Sequence, residues 1–274
     1  MCSNQKIKMA KIKTPEELKK AFKKSRQERK DSIVNRAGLK THAEYLERLD
    51  KLIAEGESPK ATTPTPVKAA KPKVHVVNLL DVSGSMSGQK INSAVAGINS
   101  ELKAYKESKD VDYVVTLTAF DHDRKPQLVR VVGKNLPSSY VYRGIMGGTA
   151  LNDAICLTLK ELMKETLLGE QTLVNIFTDG LEYHSKTYSA GDVKKYITEA
   201  ESRGFTITFI GDTRDVGAVS KRYGIDASNT LGHDNTAKGV QEAFATKLDA
   251  TVLYSTNVAA GKNVSRGFYK RIIT

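Results

Sequence analysis

Asp81, Ser83 and Ser85 stand at i, i+2 and i+4 in Asp81-Val82-Ser83-Gly84-Ser85, directly after the apolar run Val74-His75-Val76-Val77-Asn78-Leu79-Leu80. One carboxylate and two hydroxyls, gathered in a tight loop where a buried strand ends, are hard oxygen ligands of the kind a small divalent cation such as Mg²⁺ takes. Taken singly, the two serines equally fit ordinary loop or helix N-cap residues. Two distant segments carry matching chemistry. Gly147-Gly148-Thr149 opens a predicted helix, and Phe177-Thr178-Asp179-Gly180 closes a second apolar strand. Glycines at 84 and 180 would permit tight turns and close backbone approach, and those at 147 and 148 would let Thr149 reach inward. Asp153, four residues past Thr149, is expected to brace the neighbouring loops without touching an ion. Asp121 reads as a solvated turn aspartate, with a place on the rim of the site as the weaker alternative.

Other chemistries fit the residues poorly. A nucleophile elbow needs G-x-S-x-G, but Gly84-Ser85-Met86-Ser87-Gly88 puts Met86 where the serine must be. No G-x-x-x-x-G-K-[S/T] run exists to cradle a phosphate. His42, His75, His122, His184 and His233 are scattered and the chain has 2 cysteines, so no zinc cluster is spelled out. Metal-assisted hydrolysis would need a general base beside Asp81 and Asp179. His184 is the one histidine placed for that role, yet the loop Leu181–Ser185 reads better as a rim for contacting a partner. No catalytic residue is therefore assigned, and the chain is expected not to be an enzyme.

The elements that must position these residues follow from periodicity. Strands are expected at Val74–Leu80, Tyr113–Phe120, Gln127–Val132 (antiparallel, after a turn), Thr172–Thr178 and Phe205–Ile210. Ile91, Val95, Ile98 and Leu102 mark a helix by their three- and four-residue spacing. Further helices are expected at Ala150–Leu167, Asp192–Ser202, Val216–Arg222 and Ala237–Tyr254. Strands alternating with helices imply an α/β fold: a doubly wound, mostly parallel sheet covered on both faces. Its ligands would sit in the crevice beyond the carboxyl ends of the strands.

DxSxS, a glycine-flanked threonine and a TDG aspartate, in that order and at those element ends, resemble the von Willebrand factor A (vWA) domain over roughly residues 74–260. The resemblance implies a metal-ion-dependent adhesion site. Ser83, Ser85 and Thr149 would supply hydroxyl ligands, and Asp81 and Asp179 would act directly or through water. The expected ion is Mg²⁺, with Mn²⁺ or Ca²⁺ as alternatives, and its open position would be filled by a Glu or Asp of a protein partner. The resemblance is to intracellular prokaryotic or viral members. These often serve as adaptors beside AAA+ ATPases of the MoxR or chelatase type, which makes such an ATPase the first partner to consider.

The ends of the chain differ from its middle. Net charge is +12 over 274 residues. Residues 1–73 hold 19 Lys+Arg against 9 Asp+Glu, residues 74–260 hold 20 against 22, and residues 261–274 hold four bases and no acid. Residues 1–56 carry two capping boxes, Thr14-Pro15-Glu16-Glu17 and Thr41-His42-Ala43-Glu44, and read as a basic helical hairpin. Residues 57–73, with four of the 7 prolines, read as a flexible linker. Residues 261–274 read as a basic tail. The lysine-rich arm is either a solvated surface or an electrostatic footprint for an acidic protein or for RNA or DNA. No apolar stretch is long enough to span a bilayer. With few cysteines and no apolar leader after Met1, a cytoplasmic location is expected.

Overall fold

The computed structural model describes residues 71–142, 144, 147–165, 170–262 and 265–270. The expected hairpin and nearly all of the expected linker lie outside the described residues.

Among the described residues six strands form one sheet: β1 (Lys73–Asp81), β2 (Asp112–Phe120), β3 (Arg124–Val132), β4 (Gln171–Phe177), β5 (Thr206–Asp212) and β6 (Thr230–His233). Their order is β3-β2-β1-β4-β5-β6, parallel throughout except for β3 against β2. The chain works outward from β1 to one edge and then from β4 to the other. The topological switch therefore falls between β1 and β4, where a doubly wound sheet opens its crevice.

Among the described residues five α-helices cover the two faces: α1 (Gln89–Glu107), α2 (Leu151–Glu165), α3 (Ala190–Ser202), α4 (Val216–Tyr223) and α5 (Ala237–Ala259). β1 and β4 are buried on both sides, so their sequences are near-continuous apolar runs. Val74, Val76 and Leu80 pack with Ile98 and Leu102 of α1 and with Val240 and Phe244 of α5. Val77 and Leu79 point the other way, onto Ile155 and Leu159 of α2 and Ile197 of α3. Gly97 lets α1 and α5 approach, because a Cβ there would lie 2.4 Å from the Phe244 ring.

Two polar networks cross this apolar interior. Asn78, Asn175 and Thr208 stand in register on β1, β4 and β5. Asn175 Nδ2 donates to Asn78 Oδ1 at 3.1 Å, and Thr208 Oγ1 donates to Asn175 Oδ1 at 2.8 Å. Lys247 Nζ of α5 donates to Asn78 Oδ1 at 3.1 Å and pairs with Glu101 of α1 at 2.8 Å. Burial pushes the Glu101 carboxyl up and the Lys247 ammonium down, while their attraction opposes both shifts. At the other end of β1, Arg130 donates to His75 Nδ1 at 3.0 Å and to both Glu170 oxygens at 2.8 and 2.9 Å. His75 therefore carries its proton on Nε2, which lies 2.8 Å from Thr116 Oγ1. Burial, then the Arg130 charge, lower the His75 pKa to about 3.

Three differences from the sequence reading have physical causes. β3 starts at Arg124 and runs through Pro126, which an edge strand tolerates because one side needs no donor. β6 was not expected, since Thr230-Leu231-Gly232-His233 lacks an apolar run; its register against β5 defines it. Within the expected basic tail, Phe268 and Tyr269 are buried, the Phe268 ring lying between Tyr254 and Tyr269 and its N–H donating to Asn229 Oδ1 at 3.0 Å.

Candidate metal centre

β1 ends at Asp81, and the chain turns at once so that Ser83 N–H donates to Asp81 Oδ1 at 2.8 Å. Thr178, just past β4, donates its hydroxyl to Asp81 Oδ2 at 2.5 Å. The Asp81 side chain is fully buried at the carboxyl ends of the two central strands. Burial raises its pKa to about 6; hydrogen bonds from Thr178 and Ser83 pull it down, and the Asp179 charge adds a smaller upward push.

The other oxygens are linked in a chain. Ser83 Oγ lies 3.1 Å from Ser85 Oγ, and Ser85 Oγ donates to Asp179 Oδ1 at 2.6 Å. Asp179 Oδ2 accepts from Lys90 Nζ, which also donates to Asn235 Oδ1 at 2.7 Å.

Gly180 shows how closely the segments converge. A Cβ built there would lie 3.5 Å from Ser85 Oγ, 3.5 Å from Thr149 Oγ1 and 4.0 Å from Asp81 Oδ2. Side chains from the 81–85 loop and from Thr149 thus face one small hollow that the bare glycine of the third stretch leaves open. Ser83 and Asp179 join it through Ser85. All five sequence-identified residues meet at one edge of the sheet.

Backbone ties hold the contributing loops to one another. Gly84 N–H donates to Gly147 O at 2.9 Å, Ala150 N–H to Asp121 O at 2.7 Å, and Tyr183 and His184 N–H to Thr149 O at 3.1 and 3.0 Å. Gly147 and Gly148 have a packing role the sequence did not show. A Cβ would fall 2.1 Å from His122 Nδ1 at the first and 2.2 Å from the His184 ring at the second, so two imidazoles pack over the bare backbone. Gly84, by contrast, has only an ordinary contact at its Cβ position.

The first turn of α2 leaves orphan N–H groups, and the loop after β4 satisfies them. Glu182 Oε2 accepts from Asn152 N–H at 2.7 Å, and Ser185 Oγ accepts from Asp153 N–H at 3.0 Å. Asp153 reciprocates, accepting from the N–H groups of Lys186, Thr187 and Tyr188 at 2.9, 3.1 and 2.8 Å. It braces the loops, as expected. Asp121 corrects the sequence reading: it is buried, salt-bridged to Lys125 Nζ at 2.6 Å and accepting from Asp123 N–H at 2.9 Å. Lys90, Thr178 and Asn235 were missed. Only Lys90 carried a signal, a base in a helical first turn with no acid to offset it.

The donor set suits a hard cation: two carboxylates and three hydroxyls, all oxygen, around a hollow small enough for one methyl group to intrude. Among the described residues no group of three or more His, Cys, Asp or Glu is placed to hold a metal. Soft-metal cages are therefore not offered there, and the hydroxyls would have to complete any coordination.

No protein-family model matches the chain, and no curated protein matches it. Solved structures do. Proximal thread matrix protein 1 from the mussel byssus, described with a zinc-occupied MIDAS motif, is 13% identical with a TM-score of 0.51. The match covers 66% of this chain and 46% of that one, so this chain corresponds to about half of the mussel protein. A von Willebrand factor type A structure from Catenulispora acidiphila is 16% identical with a TM-score of 0.48, covering 66% of this chain and 43% of that one. The sheet order, the helices on both faces and the mussel match agree on a vWA/Rossmann-like fold.

Proposed function

We propose that this chain is a non-enzymatic interaction module that captures an acidic side chain of a partner protein through Mg²⁺, with Mn²⁺ or Ca²⁺ as substitutes. The ion would be held by Asp81, Ser83, Ser85, Thr149 and Asp179. The observation that carries this reading is the meeting of the Asp81, Ser85 and Thr149 oxygens at Gly180, with Asp179 joined to them through Ser85. When bound, the ion supplies a Lewis-acidic position able to accept a carboxylate.

The chain's own residues account for the rest. Asp81 and Asp179 together offset a dication, and the serine and threonine hydroxyls orient it without adding charge. Ser83 N–H and Thr178 Oγ1 fix the Asp81 carboxylate from behind, the kind of outer support that tunes metal sites. Tyr183, highly exposed beside the site, gives a partner an aromatic anchor. Binding is favoured over hydrolysis because His184 Nδ1 accepts from Thr149 N–H at 3.2 Å, which puts the neutral ring's proton on Nε2 and leaves no lone pair free to act as a base. A general base would need that nitrogen or its opposite free and aimed at a water. The mussel protein's zinc-occupied motif is a precedent for a divalent ion on this fold.

An AAA+ ATPase of the MoxR type is the first protein partner to test. A second reading, contact with RNA or DNA through the arm at residues 1–56, is favoured by the excess of 19 bases over 9 acids in residues 1–73. Pull-down with the full chain separates them. Metal-bridged capture is lost on adding EDTA and in Asp81→Ala, and it tolerates moderate salt. Phosphate contacts ignore chelator and weaken steeply as salt rises. Capture unaffected by EDTA and by Asp81→Ala would overturn the leading reading.

A further inference from the structure

Lys90 occupies an unexpected place. It is the second residue of α1, where the helix dipole presents partial positive charge and disfavours a base. No acidic residue lies in that first turn to compensate. Its side chain is nevertheless drawn in, only 18% exposed, to reach the fully buried side chain of Asp179. Its ammonium bridges two loops, holding Asp179 Oδ2 after β4 and Asn235 Oδ1 just before α5.

We infer that Lys90 is a built-in counter-cation that neutralises Asp179 in the ion-free protein and competes with a divalent ion for that carboxylate. The inference rests on the reading of the five oxygens as an ion site. Two carboxylates face the same hollow, and one of them carries an ion pair. Asp81 is bonded by Ser83 N–H and the Thr178 hydroxyl, whereas Asp179 has the Ser85 hydroxyl on one oxygen and the Lys90 ammonium on the other.

A dication arriving at the hollow meets the repulsion of that ammonium at close range. Engaging Asp179 fully requires Lys90 to let go, and Asn235 Oδ1 together with solvent gives the ammonium somewhere to remain. The device has two consequences. The empty site is stable, because its second carboxylate is never left unpaired. Ion affinity is set lower than the oxygen set alone would give, so occupancy tracks the free ion concentration.

The test is calorimetric titration of Mn²⁺ into the full chain for the wild type, Lys90→Gln, Lys90→Arg and Asp81→Asn, with thermal melts in EDTA. The inference expects Lys90→Gln to bind Mn²⁺ on the order of tenfold tighter than wild type and to melt lower in EDTA. Lys90→Arg, which keeps the charge, should stay within a few-fold of wild type. Equal or weaker Mn²⁺ binding by Lys90→Gln, beside a wild type that binds, overturns the inference and leaves the ion site standing. Lys90→Ala, judged folded by circular dichroism, repeats the comparison if the glutamine variant is unstable. If neither the wild type nor any Lys90 variant takes up Mn²⁺, the ion site itself is refuted and this inference falls with it.

Discussion

Asp81 is the residue on which the site turns, because it is both fully buried and ionisable. Its folded pKa of about 6 lies above the unfolded value of 3.8. A raised carboxyl pKa means the folded state binds the proton more tightly. The associated stability is present below pH 3.8 and is lost as pH rises through about 6, amounting to about 3 kcal/mol from a two-unit shift. Asp81→Asn removes that ionisation cost with little change in shape. In chelator at pH 8 the variant should melt higher than wild type, and the difference should vanish toward pH 4. The same substitution should abolish ion uptake, so stability and binding move in opposite directions, which a purely structural carboxylate would not produce. Gly180→Ala makes a complementary test. Its methyl would stand 3.5 Å from Ser85 Oγ and Thr149 Oγ1, a separation that leaves the fold intact but fills the hollow. Ion affinity should fall while the melting temperature in EDTA stays within a few degrees; unchanged affinity would place the ion elsewhere. Thr178→Val removes the outer hydrogen bond to Asp81 and should weaken ion binding by about 10- to 100-fold, measured in the same titration.

At the level of elements, β1 is the hub, hydrogen-bonded on both sides and tied to α1 and α5 through Asn78, Glu101 and Lys247. Lys247→Met leaves Glu101 buried without its cation and should destabilise the protein by about 3–5 kcal/mol in denaturant melts. The pair Lys247→Met with Glu101→Leu should recover most of that loss, since two apolar side chains replace two desolvated charges. Recovery of nothing would mean the network is needed for more than its own charge balance. The central elements were legible in the sequence because β1 and β4 are sandwiched between helices and must be apolar along their length. The five candidate oxygen residues were legible for a related reason: each sits near the end of such an element, where a polar residue stands out. β6 was not legible, having little apolar content and relying on β5 for its pairing. Nor was the burial of Asp121, whose short-range context reads as a turn while its partner Lys125 lies on β3. Lys90 and Thr178 lacked a periodic pattern, and only the fold shows that they point at Asp179 and Asp81.

Across the whole molecule, charge and chemistry are segregated. Residues 74–260 are nearly neutral, and the excess of base lies in the sequence on either side of them. Among the described residues no helix is long and apolar enough to cross a membrane. His75 gives the domain an acid limit. Its folded pKa of about 3 is below the unfolded 6.5, so its contribution is present above pH 6.5 and is lost as pH falls toward 3, at about 1.4 kcal/mol per unit. Acid melts of wild type should steepen through that window, and His75→Gln should flatten them. The central claim is that oxygens from three distant stretches form one cation site. Its most direct test is calorimetric titration of Mg²⁺ into the chelator-treated chain at pH 8, beside Asp81→Asn. Saturable uptake of a single ion by the wild type and none by the variant is the predicted result; equal uptake by both, or none by the wild type, would contradict it.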